Sequence, residues 1–206
     1  MLMNNNGSLF VFSGPSGTGK GTILSSYFEK YNDTNLKYSV SATTRSPRTG
    51  EEDGINYFFK TKDQFQNMIE NDELLEWASF CDNYYGTPKK PIEKALSEGI
   101  DVILEIETDG AFKVKNKCPD AVMVYILPPS MSELKKRLVS RGTEPPEVIE
   151  KRFTSAINEI KLSYEYDYII VNDDLDKAVD EFYAIVTSQR LKTVNNKNTI
   201  NEVLEK

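Results

Sequence analysis

The chain of 206 residues contains no histidine. Imidazole is the side chain whose ordinary pKa lies nearest neutrality, and it is the commonest nitrogen ligand for metals. Its absence excludes histidine-based acid–base catalysis and His-ligated metal centres. Cysteine is scarce too: Cys81 and Cys118 are the only two, without metal-ligand spacing, which leaves free thiols as the expectation. Basic residues are outnumbered, 25 Lys and Arg against 32 Asp and Glu, for a net charge of −7. Binding a polyanion calls for a basic face, so no nucleic-acid partner is expected. No apolar run is long enough to span a bilayer. The opening Met-Leu-Met-Asn-Asn-Asn-Gly has neither the charged start nor the apolar stretch of a signal peptide. A soluble, cytoplasmic protein with no membrane partner is the expectation.

What is present is a globular composition, 39% hydrophobic and 28% charged, long enough for one α/β domain with a full core. Its most informative segment is Gly14-Pro15-Ser16-Gly17-Thr18-Gly19-Lys20, directly after the apolar run Leu9-Phe10-Val11-Phe12. The spacing G-x-x-x-x-G-K between a buried strand and a helix predicts a phosphate-binding loop. Glycines let the backbone curl into a nest of N–H groups at a helix N-terminus, where the dipole favours anions. Lys20 then reaches the outer phosphates of a nucleoside triphosphate. The alternative is a glycine-rich turn. The pattern normally continues with Ser or Thr, whose hydroxyl binds magnesium. Here Gly21 stands at that position. Thr22 follows, turned about 100° further round the helix. Mg²⁺, the one cofactor expected, would rest on phosphate oxygens and waters instead.

Four further runs have strand character: Tyr38–Ala42, Val102–Ile106, Ala121–Leu127 and Tyr168–Val171. Their near-continuous apolarity suits strands buried on both faces of a parallel sheet. Thr61-x-x-Gln64 and Ser130-x-x-Glu133 read as capping boxes that open helices. Ile149, Phe153, Ala156, Ile157 and Ile160 recur at helical spacing, and Asp173–Ser188 reads as a second amphipathic helix. The alternation predicts a doubly wound α/β fold. Residues 43–87, punctuated by Pro47, Gly50, Gly54 and Gly86, interrupt it with short strand-like runs at Tyr57–Phe59, Leu75–Phe80 and Tyr84-Tyr85. The expected organisation is a core of residues 1–42 and 88–190, an inserted β-rich lobe at 43–87, a lid at about 137–152 and a polar tail at 191–206. A short helix around Ile200, Val203 and Leu204 is admitted in that tail.

Several side chains suggest chemistry. Arg45 and Arg48, beside Ser41, Tyr57 and Tyr85, could clamp a monophosphate, since guanidinium pairs bidentately with phosphate oxygens. The alternative is a solvated basic turn. Glu76 precedes the only tryptophan, Trp77. A carboxylate there could accept from the N1–H and N2–H₂ edge of guanine, an edge adenine lacks. It could equally be a surface acid. Glu105 and Glu107 lie at the carboxyl end of a strand, where open α/β sheets bind ligands. Arg137 and Arg141 share a helix face, and Arg152 follows the Pro-containing loop.

Taken together, several blocks resemble the guanylate kinase family. They are residues 13–20, Ser-Val-Ser-Ala-Thr-Thr-Arg-Ser-Pro-Arg (39–48), Gly-Ile-Asn-Tyr-Phe-Phe (54–59) and Leu-Leu-Glu-Trp-Ala (74–78). Asn-Tyr-Tyr-Gly-Thr (83–87), Arg-Gly-Thr-Glu (141–144) and Val-Asn-Asp-Asp (171–174) complete the set, in family order over roughly residues 8–188. The resemblance implies transfer of a phosphoryl group from ATP to GMP, giving ADP and GDP, with Mg²⁺; it leaves open whether dGMP is also a substrate. It implies that residues 14–22 hold ATP, with Asn172 near the adenine. It implies that Ser41, Arg45, Arg48, Tyr57 and Tyr85 hold the GMP phosphate, and that Glu76, Thr87 and Glu107 contact the guanosine. Glu105 would lie near the waters of magnesium. Lys20, Arg137, Arg141 and Arg152 would stabilise the transferred phosphoryl group. A P-loop kinase for another nucleotide, a GTPase and a non-catalytic guanylate-kinase-like binding module are the competing readings. The intact loop from Gly14 to Lys20 favours an enzyme over the last. A homo-oligomer is compatible with the dissimilar termini.

Overall fold

Continuous apolar runs make the strands of the core. The computed structural model describes residues 7–140 and 145–205. In chain order it begins β1 (Leu9–Ser13), α1 (Lys20–Tyr31), β2 (Leu36–Tyr38), β3 (Ala42–Thr43) and β4 (Phe58–Phe59). It continues α2 (Lys62–Glu70), β5 (Leu74–Phe80), β6 (Asn83–Pro88), α3 (Lys89–Ser97), β7 (Asp101–Glu105) and α4 (Thr108–Lys117). Then come β8 (Val122–Leu127), α5 (Met131–Ser140), α6 (Pro146–Lys161), β9 (Tyr168–Val171), α7 (Leu175–Arg190) and α8 (Lys197–Leu204).

Five strands form an all-parallel sheet in the order β2-β7-β1-β8-β9. Alternation along β1 builds both faces. Phe10 and Phe12 pack with Ile23, Leu24 and Tyr27 of α1 and Phe182 of α7. Leu9 and Val11 pack on the other side with Ile92 of α3 and Ala111 and Val114 of α4. The sheet is thus doubly wound, as its alternating elements predict. Every strand's carboxyl end points the same way, which gathers the loops after β1 and β7 at one edge.

The expected strand Tyr38–Ala42 is divided between two sheets. Tyr38 ends β2 beside Ile103, Ser39 donates its N–H to the Ile103 carbonyl at 3.0 Å, and the chain then leaves the core. Ala42 pairs instead with Gly86 and Phe58. It belongs to a second, mixed sheet of order β4-β3-β6-β5. Helix α2, opened by the predicted Thr61–Gln64 capping box, buries Phe65 against Ala42 and Leu74 on this sheet. Ser130 accepts from the Glu133 N–H at 3.1 Å as expected of a cap, and Asp174 caps α7. The stripe on α6 is only partly used. Ile149 and Ala156 are buried against Leu134 and Leu138 of α5, whereas Ile157 faces solvent.

The tail is tied to α7, where Asn196 donates to the Arg190 carbonyl at 2.6 Å and Asn195 to the Gln189 carbonyl at 2.8 Å. Helix α8 forms where Ile200, Val203 and Leu204 suggest one, but those side chains are exposed. Among the described residues, no helix is long and apolar enough to cross a membrane.

Candidate active site

The loop between β1 and α1 has the geometry its glycines require. Gly19 has φ +87°, a left-handed backbone, and a Cβ on it would sit 2.4 Å from Nδ2 of Asn172. Only glycine meets both demands at once. Helix α1 starts without a side-chain cap, which leaves its first N–H groups directed at the loop. Lys20 Nζ folds back and donates to the carbonyls of Gly14 at 2.5 Å and Pro15 at 3.1 Å. The Thr18 hydroxyl donates to the Pro15 carbonyl at 2.9 Å. Asn172, at the end of β9, is buried and donates to the Thr18 carbonyl at 2.7 Å. It therefore touches the loop directly.

Facing the loop is a cleft of about 610 Å³ that takes in Gly14, Ser16, Gly17, Gly19, Lys20, Gly21, Thr22, Glu105, Glu107 and Arg152. A larger cavity of about 790 Å³ opens near Gly7, Cys118 and Lys192, toward the amino ends of the strands, and has no such loop. Glu105 ends β7 and Glu107 precedes α4. A Cβ on Gly21 would lie 3.7 and 3.8 Å from the two Glu105 carboxylate oxygens. The missing hydroxyl at position 21 thus leaves its space bordered by a carboxylate. Mg²⁺ usually takes one or two carboxylates together with phosphate oxygens and waters, so the donor set fits that ion. Among the described residues no group of three acidic, cysteine or histidine side chains forms a protein-only cage.

Tyr38 donates its hydroxyl to Glu105 Oε2 at 2.7 Å. Desolvation, then the adjacent Glu105 charge, push the Tyr38 pKa well up. Nothing in the local sequence marks this tyrosine beyond its place in a predicted strand.

Of the three expected arginines, the two described ones, Arg137 and Arg152, separate. Arg152 of α6 reaches the cleft and donates to the Ser16 hydroxyl at 3.1 Å. Arg137 of α5 donates to Glu133 at 3.3 Å and to the Asn172 carbonyl at 3.1 Å. It does not line the cleft. Arg141 lies outside the described residues.

A second group forms on the mixed sheet. The Arg45 guanidinium lies 5.4 Å from the Tyr57 ring centre, and Tyr57 packs edge-on against Tyr85 at 6.2 Å. Arg48 is exposed and Ser41 half-buried. Sequence reasoning missed Glu51, which receives two bonds from Arg45, at 2.8 and 3.0 Å, and the Arg48 N–H at 2.7 Å. Its carboxyl is held below the usual range, first by Arg45 and then by the Arg48 backbone N–H.

Glu76 is buried, because β5 carries a register irregularity between Leu74 and Trp77. The extra residue breaks strict alternation, so Leu74, Leu75 and Glu76 are all buried in succession. Glu76 Oε1 accepts from the Thr87 hydroxyl at 2.6 Å. A Cβ on Gly110 of α4 would lie 3.0 Å from Oε2. Burial is the main cause that raises the Glu76 pKa; the charge of Glu107 adds to it, while Thr87 and Lys113 oppose it. Glu76, Thr87 and Glu107 thus share one neighbourhood.

The family model described as guanylate kinase matches residues 6–189. A curated guanylate kinase of Caldanaerobacter subterraneus is 50% identical over 205 residues, 100% of this chain and 98% of its own length. One from Clostridioides difficile is 53% identical over 196 residues, 95% of each chain. The crystal structure of guanylate kinase from Anaplasma phagocytophilum superposes with a TM-score of 0.73 at 32% identity, covering 93% of this chain and 90% of its own. A family match over most of the chain, and half of all residues shared along nearly its whole length, establish that the chain belongs to the guanylate kinase family.

Proposed function

We propose a division of labour for the reaction that family membership assigns, transfer of the γ-phosphoryl group of ATP to GMP to give ADP and GDP. ATP occupies the cup of residues 14–22, with Lys20 released from the Gly14 and Pro15 carbonyls to bind its outer phosphates. GMP occupies the mixed sheet of residues 42–88. Its phosphate meets Arg45, Arg48, Ser41, Tyr57 and Tyr85, and its guanine edge meets Glu76 and Thr87, with Glu107 on the nucleoside. The observation that carries this reading is the buried Glu76 carboxylate. A buried acceptor-only group excludes a base that brings no donors to it.

The chemistry needs little from the protein beyond placement and charge. GMP supplies its own anionic nucleophilic oxygen, so no general base is required. Arg152, already on the loop at Ser16, joins Lys20 in meeting the transferred group. Arg137 and Arg141 add to it when the α5–α6 hairpin and the mixed sheet close on the cleft and exclude water. Glu105 would hold Mg²⁺ or its waters, and the ion would supply positive charge to the phosphates.

The test is a coupled ADP-release assay over GMP, dGMP, AMP, CMP and UMP with ATP, for wild type and Lys20→Ala. Turnover confined to guanine nucleotides and lost in Lys20→Ala supports the reading. Equal turnover with AMP overturns the role of Glu76, and unimpaired Lys20→Ala overturns that of the cup.

A further inference from the structure

Glu105 stands between two spaces. With Gly21 it lines the nucleotide cleft, and the same two residues line an adjoining cavity of about 480 Å³ that Tyr38, Leu24 and Phe28 also border. No side chain at position 21 separates the two. An unrestrained glutamate at this junction could swing either way, and fixing a long side chain has an entropic cost that a tether lowers. Tyr38 supplies the tether. Its hydroxyl holds Oε2 at 2.7 Å, while both oxygens remain nearly equidistant from the Gly21 Cβ direction, at 3.7 and 3.8 Å. The carboxylate therefore presents itself squarely to the start of α1. The tyrosine reaches it from β2, the strand beside β7, so the tether is anchored in the sheet rather than in a loop.

We propose that Tyr38 is a positioning residue for Glu105, holding that carboxylate beside Gly21 so that its remaining oxygen meets the metal–nucleotide complex. The geometry substitutes, across two strands, for the hydroxyl that position 21 does not carry. Outer partners that orient a metal-facing ligand are worth about 10–100-fold in metal affinity. The inference rests on the reading of Glu105 as the acid nearest magnesium.

The experiment measures metal binding without turnover. Mn²⁺ is titrated into the protein–ADP complex and followed by electron paramagnetic resonance, and metal-free ADP binding is measured by calorimetry. Wild type, Tyr38→Phe, Glu105→Gln and the double variant are compared. Expected are about tenfold weaker Mn²⁺ binding in Tyr38→Phe, in line with an outer-partner loss, a loss at least as large in Glu105→Gln, and no further loss in the double variant. Metal-free ADP affinity stays at the wild-type value in Tyr38→Phe. If Glu105→Gln weakens Mn²⁺ and Tyr38→Phe does not, the positioning role is overturned while Glu105 keeps its place. If neither weakens it, the assignment of Glu105 itself is overturned. Metal-free ADP binding that falls as much as Mn²⁺ binding in Tyr38→Phe also overturns the proposal, since it marks a general disturbance of the cleft.

Discussion

The side-chain amide of Asn172 donates to the main-chain carbonyl of Thr18 at 2.7 Å, joining residues 154 positions apart. Both groups are buried. The same asparagine's own carbonyl accepts from Arg137 at 3.1 Å, so one residue ties the phosphate loop to helix α5. Asn172→Ala leaves the Thr18 carbonyl without this donor, at a cost of about 1–3 kcal/mol. ATP affinity is expected to fall roughly tenfold, equivalent to about 1.4 kcal/mol, with GMP affinity unchanged. Asn172→Asp is expected to be worse than Asn172→Ala, because it sets an acceptor against an acceptor. Calorimetry with each nucleotide separately checks both, and equal losses for ATP and GMP would contradict a role confined to the loop.

The parts of the site that were legible in the sequence are those whose physics is local. The turn of residues 14–20 needs glycine at fixed offsets, and the strands buried on both faces must be apolar throughout. What escaped depends on partners distant along the chain. Tyr38 and Ala42 fall in one apolar run, yet the first pairs with Ile103 and the second with Gly86, and no periodicity distinguishes them. Tyr38 meets Glu105 across 67 positions. Glu51 is close to Arg45 in sequence, but it sits in a polar turn of Thr-Gly-Glu-Glu-Asp-Gly where neither acid stands out. The burial of Glu76 follows from a register shift in β5, which its residues do not announce.

Glu76 makes GMP binding sensitive to pH. Burial raises its pKa above the ordinary value of about 4.3. In the nucleotide-free protein the raised value favours the neutral acid, so ionised Glu76 lowers stability above that pKa and the penalty is relieved as pH falls through it. GMP needs the carboxylate, so its affinity should weaken on acidification from a pH above that of an ordinary glutamate. The phosphate of GMP also titrates, near pH 6, but equally in wild type and Glu76→Gln. The difference between the two profiles isolates Glu76. At neutral pH Glu76→Gln should weaken GMP by about 100-fold, roughly 3 kcal/mol, the worth of a hydrogen bond to a charged group, with ATP unaffected. Parallel pH profiles would remove Glu76 from base recognition.

Gly110 is the floor beneath that carboxylate. A methyl group on it would stand 3.0 Å from Glu76 Oε2, tighter than ordinary contact. Gly110 lies within α4, where alanine is otherwise favoured by about 0.5–1 kcal/mol. Gly110→Ala is thus expected to weaken GMP about tenfold, about 1.4 kcal/mol, while thermal stability holds or rises slightly. A loss of GMP affinity that merely tracks a loss of stability would point to general misfolding and against the floor.

At the opposite end of the sheet, Arg190 holds two carboxylates. It donates to Asp101 at 2.7 Å and to both oxygens of Asp33, at 2.9 and 3.1 Å. Asp33 also accepts from the Tyr27 hydroxyl at 2.6 Å, and Asp101 from the Ser8 N–H at 2.7 Å. Burial pushes the Asp33 carboxyl up, but Tyr27 and Arg190 outweigh it and the net shift is downward. Its contribution to stability is therefore complete above the ordinary aspartate value, about 3.9, and is lost as pH falls through the lowered one. Arg190→Met leaves two largely buried acids without their cation. Breaking a buried pair costs about 3–5 kcal/mol. Arg190 is 30% exposed, and solvent screening reduces the expected loss to about 2–3 kcal/mol. For a chain of this size that lowers Tm by roughly 5–10 °C. The variant should then gain more stability than wild type on mild acidification, as Asp33 without its cation takes up a proton. Adding Asp33→Asn and Asp101→Asn to Arg190→Met removes the unpaired charges and should recover most of the loss. Nucleotide affinities should stay constant, because the cluster sits at the amino end of β7 and the cleft at its carboxyl end. Urea unfolding at several pH values, read beside calorimetry, tests each part. A variant whose stability responds to mild acidification no differently from wild type would mean that Arg190 does not hold these charges.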